Sequence, residues 1–363
     1  MLPLNRIPVR EENNLLSQHP WAPTPELRER ARHLVDRSLT IDIHTHPRAI
    51  MPPLVRRAAE RVAALPRDPL ANLTAAGVDL VVLTAVGDAL GTAWRFGGPW
   101  RAVGTQLDAA IHEAEAAGLA VITDPGQASA GSSSQVVLGV EGADFLGGDL
   151  ERLELLHQRG LRVLGLMHYA DNRIGSIGST LTGRVRRSAG RATGLTGYGR
   201  ELLGELDRLA IVPDLAHADR DTTLAVCEES DFPVISSHTA ASAVRDFPRY
   251  ISDVEIDAIA WTGGVIGLWP ASMRGRAMTD LDDFARHAMH IAELVGVEHL
   301  AIGTDKNGVP DYADGYCAST DFANLAAALL RIGFADDDVA AILGGNAHRV
   351  LTHAEQRPRT TSP

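Results

Sequence analysis

Short runs of Val, Ile and Leu recur along the chain, each ending abruptly in a polar residue and followed by an amphipathic stretch. Eight such runs stand out: 39–44 (LTIDIH), 78–86 (VDLVVLTAV), 135–141 (QVVLGVE), 162–168 (RVLGLMH), 210–217 (AIVPDLAH), 232–238 (FPVISSH), 264–269 (GVIGLW) and 300–305 (LAIGTD). Nearly continuous apolar runs of this length suit strands buried on both faces, as in a parallel sheet. The stretches between them carry helical spacing, for example 101–118, 149–160, 198–210, 253–264, 281–296 and 322–333, and several end in Gly, a common residue just past a helix. Strands alternating with helices imply βαβ units. Eight units predict one α/β domain, a closed (β/α)8 barrel of the TIM type. An open doubly wound sheet is the competing arrangement, but no Gly-rich dinucleotide fingerprint follows the first run.

The boundaries follow from the same pattern. Residues 1–38 read as an arm and a helix over 24–37 packing on the barrel, 39–356 as the catalytic barrel, and 357–363 (RPRTTSP from 357) as a loose tail. Composition agrees with a globular chain: 363 residues, 45% hydrophobic and 22% charged. The formal net charge of −12, from 34 basic and 46 acidic residues, argues against nucleic acid or an anionic membrane as a partner. Two cysteines, Cys227 and Cys317, with no C-x-x-C spacing exclude a disulfide framework and a Cys-rich zinc site. The start of the chain has no apolar leader and no run of 18 apolar residues occurs, so a cytoplasmic location is expected.

The chemistry lies in what ends each run. The first ends in His44 and His46, the third in Glu141, the fourth in His168, the fifth in His217, the sixth in His238 and the eighth in Asp305. In a barrel the C-terminal ends of all strands converge on one face, where active sites sit. Imidazoles and carboxylates gathered there are the usual ligands of zinc and similar divalent ions. His44 and His46, two apart on a strand, point to one side and can grip one ion. An H-x-H alone is a weak signal; its repetition across strands gives it weight. A carboxylate such as Glu141 can bridge two ions, which together acidify a water, and Asp305 is placed to take that proton and pass it to a leaving group. That is hydrolysis of an amide or ester. The other histidines, His19, His33, His112, His157, His287, His290, His299, His348 and His353, fall on helical or loop stretches. The pair His287/His290 could hold a metal on a helix face but reads as solvated surface. Trp269, ending the seventh run, reads as a buried barrel residue or a pocket wall.

The segments DLAH at 214–217 and SSHT at 236–239 resemble the DLSH and SHS segments of the membrane (renal) dipeptidase family, zinc metallopeptidases of the wider amidohydrolase group. VEG at 140–142 is similar to that family's VEGG-type motif, LGLMH at 164–168 to its LTLTH segment, and IGTDKNGVP at 302–310 to its GGDFDG segment. The stretch 194–217 and GGNAHRV at 344–350 also look like family segments, so the resemblance spans about residues 40–352. It implies two divalent metal ions, with zinc expected: His44 and His46 on one, His217 and His238 on the other, and Glu141 bridging. It further implies Asp305 as acid/base, His168 on the substrate stabilising the oxyanion, and Arg249 clamping a substrate carboxylate. For Arg249 a surface ion pair with Asp246 or Asp253 is an equal alternative. A homodimer is implied as well, and tolerance of a D-configured C-terminal residue.

Three departures bear on the substrate. His46 stands where the family's first strand carries H-x-D, which raises the charge of the site by one. The loop 45–59 (THPRAIMPPLVRRAA) and the loop 169–178 (YADNRIGSIG) do not match the family's wording, and such loops shape the pocket. The leading expectation is therefore a metal-dependent hydrolase of a dipeptide or similar small amide. Hydrolysis of a lactone, cyclic amide or ester is the alternative, and a non-catalytic barrel protein is the third, disfavoured by the complete ligand set.

Overall fold

The computed structural model describes residues 21–47, 69–93, 97–180, 183–185 and 193–356. The expected arm over 1–20 with His19, most of the loop after the first strand and the tail from 357 lie outside them. Eleven strands occur among the described residues: β1 (Ile41–Thr45), β2 (Leu80–Val86), β3 (Ala120–Val121), β4 (Gln135–Glu141), β5 (Leu161–Gly165), β6 (Ser179–Thr180), β7 (Gly183–Arg184), β8 (Val212–Asp214), β9 (Ile235–Thr239), β10 (Val265–Leu268) and β11 (Leu300–Ile302). Eight of them pair in the order β2-β1-β11-β10-β9-β8-β5-β4, and β4 pairs back onto β2, closing the ring. Every pair in the ring is parallel. Each barrel strand overlaps one of the eight apolar runs, three of them reaching one residue beyond it, so the predicted (β/α)8 barrel is the fold. The two-residue β3 adds to the foot of β4, and β6 with β7 forms a small antiparallel ribbon outside the ring.

Alternate residues explain why the runs are apolar throughout. Ile41, Ile43, Leu80, Val82, Val137, Val163, Val212, Ile235, Val265 and Ala301 form one buried cluster that fills the barrel. Val81, Leu83, Ala85, Val136, Leu138 and Val140 belong to the second cluster, against the surrounding helices. Both faces are thus dry, and a polar residue is tolerated only where a strand ends. The helices that follow β4, β8, β9 and β10 are α5 (Glu151–Gln158), α7 (Arg220–Glu229), α8 (Asp253–Trp261) and α9 (Leu281–Val295). A last helix, α12 (Asn346–Gln356), adds Ala347, Val350 and Leu351 to the interior cluster and plugs the end of the barrel opposite the site. The helix expected over 24–37 is α1 (Pro25–Arg37), with Thr24 capping it by accepting from Leu27 N and Pro25 opening it. It buries Ala31, Leu34 and Val35 against α10 (Phe322–Ile332).

The site face is shaped by the residues that leave the strands. His217 and Asp305 both have left-handed backbones, with φ of 73° and 52°, as does Asn307 at 65°. Such conformations cost a non-glycine residue about 1–3 kcal/mol and persist where surrounding contacts hold them. Those contacts are present around Asp305. Its N–H donates to His44 O at 2.8 Å, Tyr312 Oη donates to its carbonyl at 2.8 Å, and Asn307 Nδ2 donates to His46 O at 2.9 Å. The loop after β11 is therefore laced onto β1.

Candidate metal centre

Seven strand-end groups meet at the mouth. Glu141, at the tip of β4, lies at the centre and is nearly fully buried. Its Oε1 is 2.9 Å from His217 Nε2, 3.4 Å from His238 Nε2 and 3.9 Å from His44 Nε2. Its Oε2 is 3.4 Å from His168 Nε2 and 3.6 Å from His46 Nε2. The imidazoles also approach one another: His44 Nε2 to His46 Nε2 and His217 Nε2 to His238 Nε2 are both 3.3 Å. His44, His46 and Glu141 form one group able to hold a metal ion, and Glu141, His168 and His217 form another sharing the same carboxylate. His168, read from sequence as a residue over the substrate, thus stands inside the cluster itself. Asp305 Oδ1 is 3.3 Å from His46 Nε2. Gly308 makes that approach possible, because a Cβ there would lie 1.9 Å from Asp305 Oδ1 and 2.7 Å from His46 Cδ2.

A layer behind the imidazoles fixes which nitrogen faces the mouth. Ser237 Oγ, fully buried, donates to Asp214 Oδ2 at 2.6 Å and lies 3.1 Å from His44 Nδ1 and 2.8 Å from His238 Nδ1. A hydroxyl has one proton and two lone pairs. With the proton given to Asp214, both lone pairs accept from imidazole N–H, so His44 and His238 turn bare Nε2 atoms into the mouth. His46 Nδ1 donates to Thr84 O at 2.8 Å, so Nε2 is the ring nitrogen that faces the mouth. Imidazole Nε2 atoms packed 3.3 Å apart beside one carboxylate are a donor set that fits divalent metal. Asp214 is held by Ala216 N and Ser237 N as well as by Ser237 Oγ. Asp42 accepts from His44 N, Thr45 Oγ1 and Thr304 N, tying β1 to the end of β11. Asp88 Oδ2 sits 2.9 Å from His168 Nδ1, off the axis of its N–H.

The electrostatics match this arrangement. Burial, and then neighbouring positive charge, holds His44, His217 and His238 well below the ordinary imidazole range, so they stay neutral. Burial opposes a charge on His46 too, but hydrogen bonding and attraction to Asp305, with Glu141 beyond, raise it to about 9. Burial raises Glu141, offset in part by His168 and His46. Asp42 is pushed up to about 6 by burial against the pull of its hydrogen bonds. Arg249, half-buried, reaches the same mouth: its Nη2 is 3.5 Å from His238 O and its guanidinium lies 5.7 Å over the Trp269 ring. The surface pairs weighed for it are both taken. Asp246 pairs with Arg184, and Asp253 pairs with His290 at 2.8 Å.

One reading from sequence changes. His287 is not solvated surface: it is buried under the loop after β9, accepts from Ala241 N at 3.2 Å, and is lowered to about 3 mainly by burial. Helical spacing could not reveal this, because the loop that covers it is remote in sequence. Trp269 is buried, its ring edge-on to His238 at 6.0 Å, so both readings of it hold at once. The residues that sequence reasoning missed are Ser237, Asp214, Asp42, Asp88 and Thr84. Asp42, in IDIH, was the one open to discovery: it lies two before His44 on the same strand.

The profile of the membrane dipeptidase family (Peptidase family M19) matches residues 28–362. Dipeptidase tcpJ of Claviceps purpurea is 27% identical over 223 residues, 60% of this chain and 51% of that protein. The chain spans about half the length of the curated relatives it matches. An amidohydrolase from Pseudomonas aeruginosa superposes with a TM-score of 0.73 at 20% identity, covering 89% of this chain and 98% of that one. A metallopeptidase from Rhodobacter sphaeroides, solved with a phosphinate mimic of the dipeptide L-Ala-D-Ala, superposes at 0.71 with 22% identity over 87% of this chain and 99% of that one. These structural likenesses concern the fold.

Proposed function

Because the chain belongs to the membrane dipeptidase family, Peptidase family M19, we propose that it is a metal-dependent hydrolase of a small amide that ends in a free carboxylate, a dipeptide being the leading case. The observation that carries this reading is the convergence of five imidazole Nε2 atoms on the two oxygens of one buried carboxylate, Glu141. In this reading His44, His46 and Glu141 hold one divalent ion, and Glu141, His217 and His238 hold a second, both zinc. Bound there, the pair supplies Lewis acidity toward a water and a substrate carbonyl. Asp305 holds a proton at Oδ1 and passes it to the leaving nitrogen. His168 Nε2 faces the carbonyl oxygen as negative charge develops on it, with Asp88 Oδ2 2.9 Å from the ring's Nδ1. Arg249 binds the substrate carboxylate through its guanidinium fork. The dipeptide mimic bound to the Rhodobacter sphaeroides metallopeptidase supports the substrate class by likeness of fold. A cytoplasmic homodimer is the state proposed for the protein, to be checked by sedimentation.

A second reading, hydrolysis of a lactone, cyclic amide or ester, draws support from His46 in the first-strand pair and from the unmatched loops. One experiment separates them. Protein loaded with zinc, checked for about two ions per chain, is offered dipeptides with L- and D-configured C-terminal residues. Cleavage that falls when the C-terminal carboxylate is amidated, and that loses this sensitivity in Arg249→Gln, supports the first reading. Two bound metals with no cleavage of any amide bearing a free carboxylate would discard it in favour of the second.

A further inference from the structure

A proton-transfer group works only if its carboxyl is held in place, and the residue that follows Asp305 is an unusual one for such a position. Lys306 is among the largest fully buried side chains of the protein. It stands between two residues with left-handed backbones, Asp305 and Asn307. Its carbonyl accepts from His46 N at 2.8 Å, which pins it to the end of β1. Its side chain reaches the loop 312–317. There Nζ lies over two aromatic rings, 4.0 Å from the centre of Tyr312 and 4.7 Å from that of Tyr316, and donates to Cys317 O. The two rings meet edge to face, 5.4 Å apart. Tyr312 also donates from its hydroxyl to Asp305 O at 2.8 Å. The loop is itself fastened, with Ala313 N donating to Pro270 O at 2.8 Å.

Taking an ammonium out of water is costly, and an apolar side chain of similar size would fill the same space without that cost. What the cation adds is direction. Two ring faces and one carbonyl oxygen define a single place for Nζ, where a methyl group would pack in several. We propose that Lys306 is a positioning residue: its ammonium, caged by Tyr312 and Tyr316, locks the left-handed loop that holds the Asp305 carboxyl against His46. This rests on the hydrolase reading above and adds the device that aims its acid/base. Lys306 acts through Asp305, on one side by its peptide bond to that residue and on the other by the ring that donates to the Asp305 carbonyl.

The test is Lys306→Met, which keeps the length of the side chain and removes the charge. With zinc-loaded protein and a dipeptide that the parent cleaves, kcat should fall about 10- to 100-fold, as for a displaced catalytic group, while KM stays within about twofold. Zinc per chain should be unchanged, and the urea midpoint should hold or rise, because the buried ammonium is gone. Tyr312→Phe keeps the ring and removes the hydroxyl from Asp305 O. It should lower kcat in the same way, and the double variant should lose less than the product of the two. Parental kcat in both variants, or a loss matched by a fall in bound zinc or in stability, would overturn the proposal. A parent that cleaves no dipeptide would count against the substrate reading instead, and hydrogen exchange on the same zinc-loaded proteins then decides. The amides of His46, Asp305 and Gly308, which donate to Lys306 O, His44 O and Asp305 O, should exchange faster in Lys306→Met while the rest of the barrel is unaltered. Protection equal to the parent's at all three would overturn the role of Lys306.

Discussion

Ser237→Ala removes one hydroxyl and should weaken the metal centre without touching a ligand. The hydroxyl serves three buried groups at once: Asp214 Oδ2 at 2.6 Å, His238 Nδ1 at 2.8 Å and His44 Nδ1 at 3.1 Å. Each buried polar group left unpaired costs about 1–3 kcal/mol. Asp214 retains two backbone donors, from Ala216 and Ser237, so its share lies at the low end. The sum for the metal-free protein is then about 3–7 kcal/mol, before any water enters the space. The loaded protein should show a second effect. Without Ser237 Oγ the two imidazoles are no longer held with Nδ1 protonated, and loss of such an outer partner lowers metal affinity about 10- to 100-fold. Zinc affinity read by chelator competition, and stability read by urea titration with and without zinc, measure the two effects separately. Ser237→Ala that keeps zinc affinity within about twofold of the parent, where a 10- to 100-fold loss is expected, would refute the claim that this hydroxyl sets the tautomers of His44 and His238.

Three further outcomes test the centre. Glu141→Gln should lose metal at both positions, seen as a fall in zinc per chain by atomic emission; retention of two ions would end the bridging role. Asp305→Asn should keep both ions yet lose about 10²- to 10⁴-fold in kcat, the usual share of a proton-transfer group; full activity would remove that assignment. Acidity should govern loading through His46. Its value in the metal-free fold, about 9, lies above the ordinary 6.5, so the protonated ring stabilises that fold fully below pH 6.5 and the contribution fades as pH rises through 9. A metal must displace this proton, so zinc affinity should climb by up to about tenfold per pH unit until pH 9 and then level off. Affinity independent of pH across that window would show that His46 is not a ligand.

The sequence yielded the barrel strands for a definite reason. A strand dry on both faces cannot alternate, so Val81 facing the helices and Val82 facing the interior both have to be apolar. The elements that escaped, β3 and the β6–β7 ribbon, have two residues per strand and leave no pattern to read. The ligands were readable because a barrel converts position at a strand end into nearness in space. Ser237 was not: it adjoins a candidate ligand in sequence, but its value depends on Asp214 and His44, which β8 and β1 bring to it across the barrel. His287 was misjudged on the same ground, since only the loop around Ala241 removes it from solvent.

The seam between β1 and β11 joins the first and last strands of the ring. His44 and His46 stand on one side of it and Asp305 on the other, with Asp42 accepting from Thr304 N across the join. About 260 residues of chain separate the two sides, so Asp305 meets the two histidines only when the ring closes. The site is in effect a clasp. A chain whose barrel stands open lacks the contact of Asp305 with His46. The proposed acid/base and the histidines it faces thus come together only with completion of the fold.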